Sequence, residues 1–137
     1  MAVVSELIRR ESDKTLSFGD YTLDSKSKVN DFDFKGDMYK VKTFKEVTKL
    51  ERNGLFVYES IPGTAVEHFA SDESKVEFKV EGANDAQITL ELEPETEYNI
   101  AIDGTDAGVM KTNLGGKLSL SVELDEGKAV AVKITKK

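Results

Sequence analysis

The residue types that most often carry catalysis or bind metals are scarce in this sequence of 137 residues. It contains no Cys and a single His, which excludes disulfides, thiol catalysis, Cys-ligated zinc and any site that needs two imidazoles from one chain. The one imidazole, His68, would need an orienting carboxylate and a nucleophile nearby to act as a general base. Its neighbour Glu67 points to the opposite face of a strand. We therefore expect His68 to be a surface or hydrogen-bonded residue at a strand end.

Two groups of carboxylates could attract a hard cation such as Ca²⁺: Asp31, Asp33 and Asp37, and Asp103 and Asp106. The first group departs from the EF-hand pattern, because Lys35 occupies the third ligand position and no Glu occupies the twelfth. Since Asp is also a common turn former, the sequence predicts no metal site and no cofactor, and calcium at either group stays an open alternative. With 26 acidic residues, a glycosidase pair of carboxylates has no distinctive signal. We predict no catalytic residue.

Aromatic side chains supply the remaining candidates for binding. Nine of the eleven Phe and Tyr residues lie within residues 1–70, and there is no Trp. An exposed ring offers an apolar face on which a sugar or a protein partner packs, whereas most large rings belong to the core. The candidate binding residues are Tyr21, Tyr39, Phe56 and Tyr58.

The net charge and the distribution of apolar residues limit the partners. A formal charge of −7 argues against a protein that binds nucleic acid or an anionic membrane surface, because both need basic patches. No stretch approaches the roughly 18 apolar residues of a membrane span, and the first residues lack the order of a secretory signal. We expect a cytoplasmic protein with neither nucleic-acid nor membrane partners.

Alternation of apolar and polar residues predicts the elements that hold these side chains. Residues 118–124 place four aliphatic side chains on one face and Ser, Ser and Glu on the other, as a half-buried strand does. Similar segments recur, with turns rich in Gly, Asn and Asp between them. This spacing predicts an all-β protein with little helix, an antiparallel β-sandwich or barrel-like fold of about 10–12 strands.

Residues 43–52 are the segment where a helix competes with a strand, because apolar side chains recur there at every third position. Asn53-Gly54 follows directly and is a strong signal for a two-residue hairpin turn, since both residues accept positive φ. We favour a hairpin that joins residues 47–52 to residues 55–60.

Two asymmetries divide the chain near residue 70. Residues 1–70 hold most of the aromatic rings and carry 11 basic and 12 acidic side chains, whereas residues 71–137 carry 8 and 14. A half of this size is marginally stable alone. We expect an aromatic-rich β subdomain (1–70) and an acidic, sandwich-like subdomain (71–137) that form one compact unit.

Two segments resemble known bacterial proteins. The sequence YNIAIDG at residues 98–104, followed by the Gly-rich turn and strand of residues 113–122, resembles accessory β-sandwich modules of bacterial polysaccharide lyases and glycoside hydrolases. This resemblance implies a non-catalytic sandwich. The sequences SFGDY at residues 17–21 and VYESIPGTAV at residues 57–66 resemble short uncharacterised all-β proteins of anaerobic Gram-positive bacteria, some of them labelled endosialidase-like.

The residues do not support sialidase catalysis, which typically needs three arginines that converge on the substrate carboxylate. The chain has three Arg residues, of which Arg9 and Arg10 are adjacent and point to opposite faces of a strand. The Trp-containing repeat of sialidase propellers is absent, and the chain is too short for at least four four-stranded blades.

The apolar residues 3–8 predict a strand at the N-terminus, and an exposed apolar strand needs another strand to pair with it. We therefore expect a non-enzymatic β-sheet binding or assembly module that acts by self-association, as a homo-oligomer, or by binding another protein. The alternative is a carbohydrate-binding or accessory module of polysaccharide metabolism. A small glycan-active hydrolase is a third candidate, and it would require a cleft with two facing carboxylates.

Overall fold

The computed structural model describes residues 3–137, which form an antiparallel β-sandwich of thirteen strands without a helix. The strands are β1 (Ile8–Arg10), β2 (Leu16–Phe18), β3 (Ser27–Phe34), β4 (Asp37–Phe44), β5 (Val47–Arg52), β6 (Leu55–Ile61), β7 (Ala65–Ser71), β8 (Lys75–Glu81), β9 (Ala86–Glu91), β10 (Glu97–Ile102), β11 (Thr105–Lys111), β12 (Lys117–Val122) and β13 (Val130–Lys136). One sheet has the order β1-β2-β7-β8-β13-β10-β11, and the other has the order β12-β9-β6-β5-β4-β3.

The two-residue period of the sequence builds this sandwich. In β12, Leu118, Leu120 and Val122 are buried between the sheets, while Ser119 and Ser121 are exposed. A similar alternation along β5, β8, β9, β10 and β13 directs one face of each sheet inward, so that the two inner faces form a single core. The predicted all-β fold is therefore confirmed as a sandwich whose sheets do not close into a barrel.

Aromatic rings concentrate in this core. The rings of Phe18 and Tyr58 meet edge to face with centroids 5.3 Å apart, and those of Tyr58 and Phe78 meet at 5.8 Å. Phe69 completes the cluster and stacks on Phe78 at 5.6 Å. Such distances lie within the favourable range for aromatic pairs. Core formation thus explains much of the aromatic enrichment of residues 1–70.

The hairpin after residue 46 forms as predicted. β5 and β6 are joined at Asn53 and Gly54, which have φ values of 52° and 80°. Residues 43 and 44 end β4, and β5 pairs with β4 as well as with β6. Residues 43–52 are therefore not helical: they form the end of β4, a turn at residues 45 and 46, and β5.

The predicted N-terminal strand over residues 3–8 is wrong. Leu7 has a φ of 71°, in the left-handed region, and its N–H donates to the C=O of Val4 at 2.8 Å, so the chain turns there. Val4 and Ile8 are both buried in the core, and only Ile8–Arg10 is extended. This segment consequently leaves no exposed apolar strand for a partner.

Both sheets draw strands from residues 1–70 and from residues 71–137. β7 lies beside β8 in one sheet, and β6 lies beside β9 in the other. One continuous hydrophobic cluster runs from Ile8 to Ile134, so the two halves share a core.

The part of the chain that the structure describes contains no helix long and apolar enough to cross a membrane.

Candidate functional site

The four aromatic candidates do not meet on one surface. Tyr58 is fully buried, and its hydroxyl lies 2.8 Å from Oγ1 of Thr64. Burial raises the pKa of the Tyr58 hydroxyl, which therefore stays protonated. Tyr39 is 8% exposed and packs edge-on against Phe34, with centroids 5.9 Å apart. Neither Tyr58 nor Tyr39 offers a ring face to a ligand, which corrects the expectation for both.

Tyr21 is also buried, in a contact that the sequence does not reveal. Its hydroxyl donates a 2.6 Å hydrogen bond to Oε2 of Glu81, which is 2% exposed and also accepts the N–H of Gly127 at 3.2 Å. Burial, followed by the hydrogen bond to Glu81, raises the pKa of the Tyr21 hydroxyl. The pair ties distant parts of the chain together, and Tyr21 is not a surface platform.

Phe56 is partly exposed and lines a cleft at the end of the sandwich. The cleft has a volume of about 270 Å³, just below the roughly 300–1,000 Å³ of typical small-molecule sites. Phe69, Leu90 and Tyr98 form an apolar floor, and Arg52 stands on the rim among acidic side chains. This cleft is where Phe56 could contact a ligand.

Two lysines already contact the Phe56 ring. Nζ of Lys117 lies 4.8 Å from the ring centroid, and Nζ of Lys49 lies 5.9 Å from it. Lys117 also forms an ion pair with Glu91 on β9. A ligand that stacks on Phe56 must therefore compete with these cations.

His68 is exposed and hydrogen-bonded, as expected, but it lies at a bulge inside β7. Its Nδ1 is 2.9 Å from Oδ2 of Asp13 and 3.1 Å from Oγ1 of Thr15. Hydrogen bonds from Thr15 hold the pKa of Asp13 below its usual value. A hydroxyl–imidazole–carboxylate relay needs its two partners on different ring nitrogens. Here both partners share Nδ1, so the cluster lacks the geometry of a catalytic triad.

The adjacent arginines have different partners. Nε of Arg9 donates to Glu11 at 2.9 Å, whereas Arg10 donates to the backbone C=O of Asp33 on β3. Because Arg9 and Arg10 are engaged at separate places, the structure does not assemble a three-arginine grip for a substrate carboxylate.

Three of the carboxylates considered for calcium accept hydrogen bonds from within the chain. Asp37 accepts the side-chain amide of Asn53 at 2.9 Å. Asp103 accepts the N–H of Ala131 at 2.9 Å, and Asp106 accepts the backbone N–H two residues further on at 2.8 Å. Within residues 3–137, no three His, Asp or Glu side chains lie close enough together to hold a metal ion.

The four edge strands are the other places where this fold can bind something. β1 and β11 end one sheet, and β3 and β12 end the other. Edge strands present unpaired backbone N–H and C=O groups, and proteins protect them by shortness, bulges, charged side chains or covering residues. Three of the four edges have such protection.

The edges β1 and β3 lie on the same side of the sandwich and are joined there. Nε and one terminal nitrogen of Arg10 donate to the C=O of Asp33, at 3.0 and 2.6 Å, and the guanidinium lies 4.6 Å from the ring centroid of Phe32. β1 has only three residues, and β3 is interrupted by a bulge where Asp31 has a φ of 54°. The short strand β1, the bulge in β3 and the contact of Arg10 therefore protect the two edges on this side of the sandwich.

The edge β11 is exposed on both faces but irregular. A bulge interrupts its pairing with β10, so that Asp106 lies opposite Ala101 while Gly108 lies opposite Ile100. Lys111 adds a charge at the other end of the strand. A bulge and charges are the features that discourage pairing with a further strand.

The edge β12 lacks such protection beyond its first residue, Lys117. It pairs with β9 in continuous register, and after Lys117 it carries no charge. The N–H and C=O of Lys117 bond to Oδ1 and N–H of Asn113, away from β9. Because these groups alternate in direction along a strand, Ser119 and Ser121 also direct theirs outward, where no described strand pairs with them. This edge is the candidate functional site.

No protein-family model, no curated protein and no solved structure matches the chain. The resemblances found in the sequence therefore stay predictions, and the geometry carries the functional interpretation.

The sequence pattern predicted β12 as a strand but did not single it out as a site. Which strand lies at an edge depends on strand order, which the pattern of one strand does not contain. The sequence nevertheless contained a signal for a pairing edge, since the uncharged residues 118–122 are flanked by one basic residue, Lys117, and one acidic residue, Glu123.

Proposed function

We propose that this protein is a non-enzymatic assembly module that associates with copies of itself through the β12 edge. The observation that carries the proposal is the contrast between this regular edge, which carries no charge after Lys117, and the three protected ones. Addition of a strand would provide partners for the outward backbone groups of Ser119 and Ser121, as in other cases of β-strand addition. This function requires no catalytic residue and no cofactor.

The charges at the ends of β12 favour a second copy as the added strand. Lys117 begins the strand and Glu123 follows it. When an identical strand pairs antiparallel, the Lys117 end of each copy lies near the Glu123 end of the other. Lys117 already pairs with Glu91, and Glu123 of the other copy would bring a second carboxylate to it, which is a stabilising arrangement across a sheet. Leu114, in the turn before β12, is 80% exposed and adds apolar surface beside this edge.

Light scattering across the micromolar range tests self-association. The proposal predicts that the molar mass rises with concentration from 15.2 kDa to an integral multiple of that value. A mass of 15.2 kDa at every concentration would remove the proposal.

The cleft beside Phe56 favours a glycan as a second candidate ligand. It combines an apolar floor with charged and polar groups at the rim, which is the usual composition of a small-molecule site. Calorimetric titration with neutral and acidic glycans tests this role, with Phe56→Ala as the binding-deficient variant. The absence of heat at millimolar glycan would eliminate it.

The cytoplasmic location is part of the same proposal. The net charge of −7 disfavours nucleic acids and anionic membranes as partners. Imaging of the tagged protein in its native cell tests the location, and a signal confined to the envelope would contradict it.

A further inference from the structure

We infer that two copies pair β12 with β12 in antiparallel fashion about a two-fold axis at Leu120, which joins their six-stranded sheets into one continuous sheet. This inference rests on the proposed function and specifies the surface, the register and the stoichiometry of the association.

The residue types along the edge are symmetric about Leu120. The sequence from residue 117 to residue 123 is KLSLSVE. An antiparallel copy centred on Leu120 places Leu118 opposite Val122 and Ser119 opposite Ser121. It also places the Lys that begins the segment opposite the Glu that ends it. Every pair therefore matches an aliphatic residue with an aliphatic residue, a hydroxyl with a hydroxyl, or a positive charge with a negative one.

The directions of the backbone groups select the same register. A two-fold axis perpendicular to the joined sheet leaves the inner face of both copies on the same side. Two identical antiparallel strands related by such an axis place one residue directly opposite the same residue of the other copy. With Leu120 at the centre, the outward groups of Ser119 meet those of Ser121 in the other copy. Each such pair exchanges two N–H···O bonds, which gives four in the dimer.

Neighbouring registers lose these contacts. A centre at Ser119 sets Ser121 opposite Lys117, whose N–H and C=O are already bonded to Asn113. A centre at Ser121 sets Ser119 opposite Glu123, beyond the end of β12. Only the register centred on Leu120 uses both serines within the strand and brings the opposite charges together.

The outer face of the strand is compatible with this arrangement. The hydroxyl of Ser119 lies 3.0 Å from that of Thr89, and Ser121 donates to the side chain of Gln87 at 2.7 Å. These contacts run toward β9 and leave the outward backbone groups free to pair. Because both copies use the same surface, the association closes at two copies and does not grow into a filament.

Two surface cysteine variants test the register, since the chain has no Cys of its own. In the inferred dimer, Ser119 and Ser121 of different copies have Cα atoms about 5.5 Å apart, within the range of a disulfide. The two Ser119 residues are offset by two positions along each strand and lie more than about 7 Å apart. An oxidised mixture of S119C and S121C should give a covalent dimer, and neither variant alone should do so.

The L120C variant gives a second, independent readout. Leu120 lies opposite itself in a pair without backbone hydrogen bonds, with Cα atoms about 4.5 Å apart, so this variant should cross-link alone. Leu118→Cys is its control, because Leu118 lies opposite Val122 and should remain uncross-linked by itself. Folding of each variant is checked by its thermal unfolding transition.

A charge variant measures the ends of the interface. Glu123→Lys sets two lysines opposite each other and should weaken the dimer by roughly 2- to 10-fold. Glu46→Lys makes the same change of charge in the exposed turn between β4 and β5 and should leave the dimer unchanged.

The outcomes separate this inference from the proposed function. Cross-linking in the mixture of S119C and S121C, together with cross-linking of L120C alone, supports the inferred register. A doubled molar mass without these cross-links would overturn the register while the assembly function stands. A wild-type protein that stays at 15.2 kDa would overturn both.

Discussion

The edge strands on the two sides of the sandwich differ in how they are protected from pairing with a further strand. On one side, the short strand β1 and the bulged strand β3 are joined by Arg10, whose guanidinium donates to the C=O of Asp33 and lies over the ring of Phe32. On the other side, a bulge interrupts β11, while β12 is regular and carries no charge after Lys117. The difference singles out β12 as the less protected edge, and the proposed self-association rests on it.

The largest effect is expected from charging the open edge. The double substitution Ser119→Lys and Ser121→Lys sets lysines opposite lysines in both hydrogen-bonded pairs of the dimer. Like charges in direct opposition cost several kcal/mol, so the dissociation constant of the proposed dimer should rise at least about 100-fold. Sedimentation velocity at matched concentrations measures the shift.

The matched control places the same charges one strand further in. The control is the double substitution Gln87→Lys and Thr89→Lys. These two residues of β9 lie on the same outer face and pair with Ser121 and Ser119 of β12. This pair should retain the dimer. An equal loss of dimer in both double variants would mean that net charge, and not the edge, governs association.

At the edges β1 and β3, a substitution should change the free energy of unfolding and not the association. Arg10→Ala removes two hydrogen bonds to the C=O of Asp33 and the contact with the Phe32 ring. These contacts are partly exposed, so the free energy of unfolding should fall by about 1–2 kcal/mol. Urea denaturation measures this loss, and Arg10→Lys should recover only part of it because an ammonium lacks the planar fork. Unchanged stability in Arg10→Ala would show that this side does not depend on Arg10.

Low pH should destabilise the fold on the same side, because Glu11 becomes protonated there. Hydrogen bonds from Ser17, and then from Arg9, hold the pKa of Glu11 below its ordinary 4.5. A carboxylate with a lowered pKa stabilises the fold above its ordinary pKa, and this stability is lost as pH falls through the folded-state value. Glu11→Gln should therefore cost about 1 kcal/mol near neutral pH and nothing in strong acid. The difference in unfolding free energy between Glu11→Gln and wild type, followed against pH, checks this; a constant difference would contradict it.

The smallest effect is expected at the bulged edge. Val109→Lys adds a charge to β11, whose side chains are already largely exposed. The unfolding free energy should change by less than about 0.5 kcal/mol, and the concentration dependence of the molar mass should remain that of the wild type. Loss of the dimer in this variant would move the association surface from β12 to β11.

Local patterns predicted the strands well because their causes are local. The alternation in residues 118–124 and the Asn53-Gly54 turn each contain the information for the structure that forms. At the N-terminus the same logic was wrong, since Leu7 adopts a left-handed conformation that allows Val4 to enter the core. Ser5 is the one common turn former here, and it does not by itself indicate a left-handed conformation at Leu7.

The candidate site could not be predicted from local patterns. The burial of Tyr21 depends on Glu81, sixty residues further along the chain, and the aromatic contacts of Tyr58 depend on strands from both halves. Whether β12 is an edge or an interior strand depends on the order of all six strands in its sheet. Long-range topology thus decided which residues are available for binding.

Amide hydrogen exchange of the unmodified protein tests the central claim most directly, because it compares the edges β12 and β11 without any substitution. The backbone N–H groups of Ser119 and Ser121 should exchange rapidly in dilute solution and become protected as the concentration rises, while the amides of β11 remain unchanged. Exchange at Ser119 and Ser121 that is independent of concentration, or protection that develops in β11 instead, would contradict the assignment of β12 as the association edge.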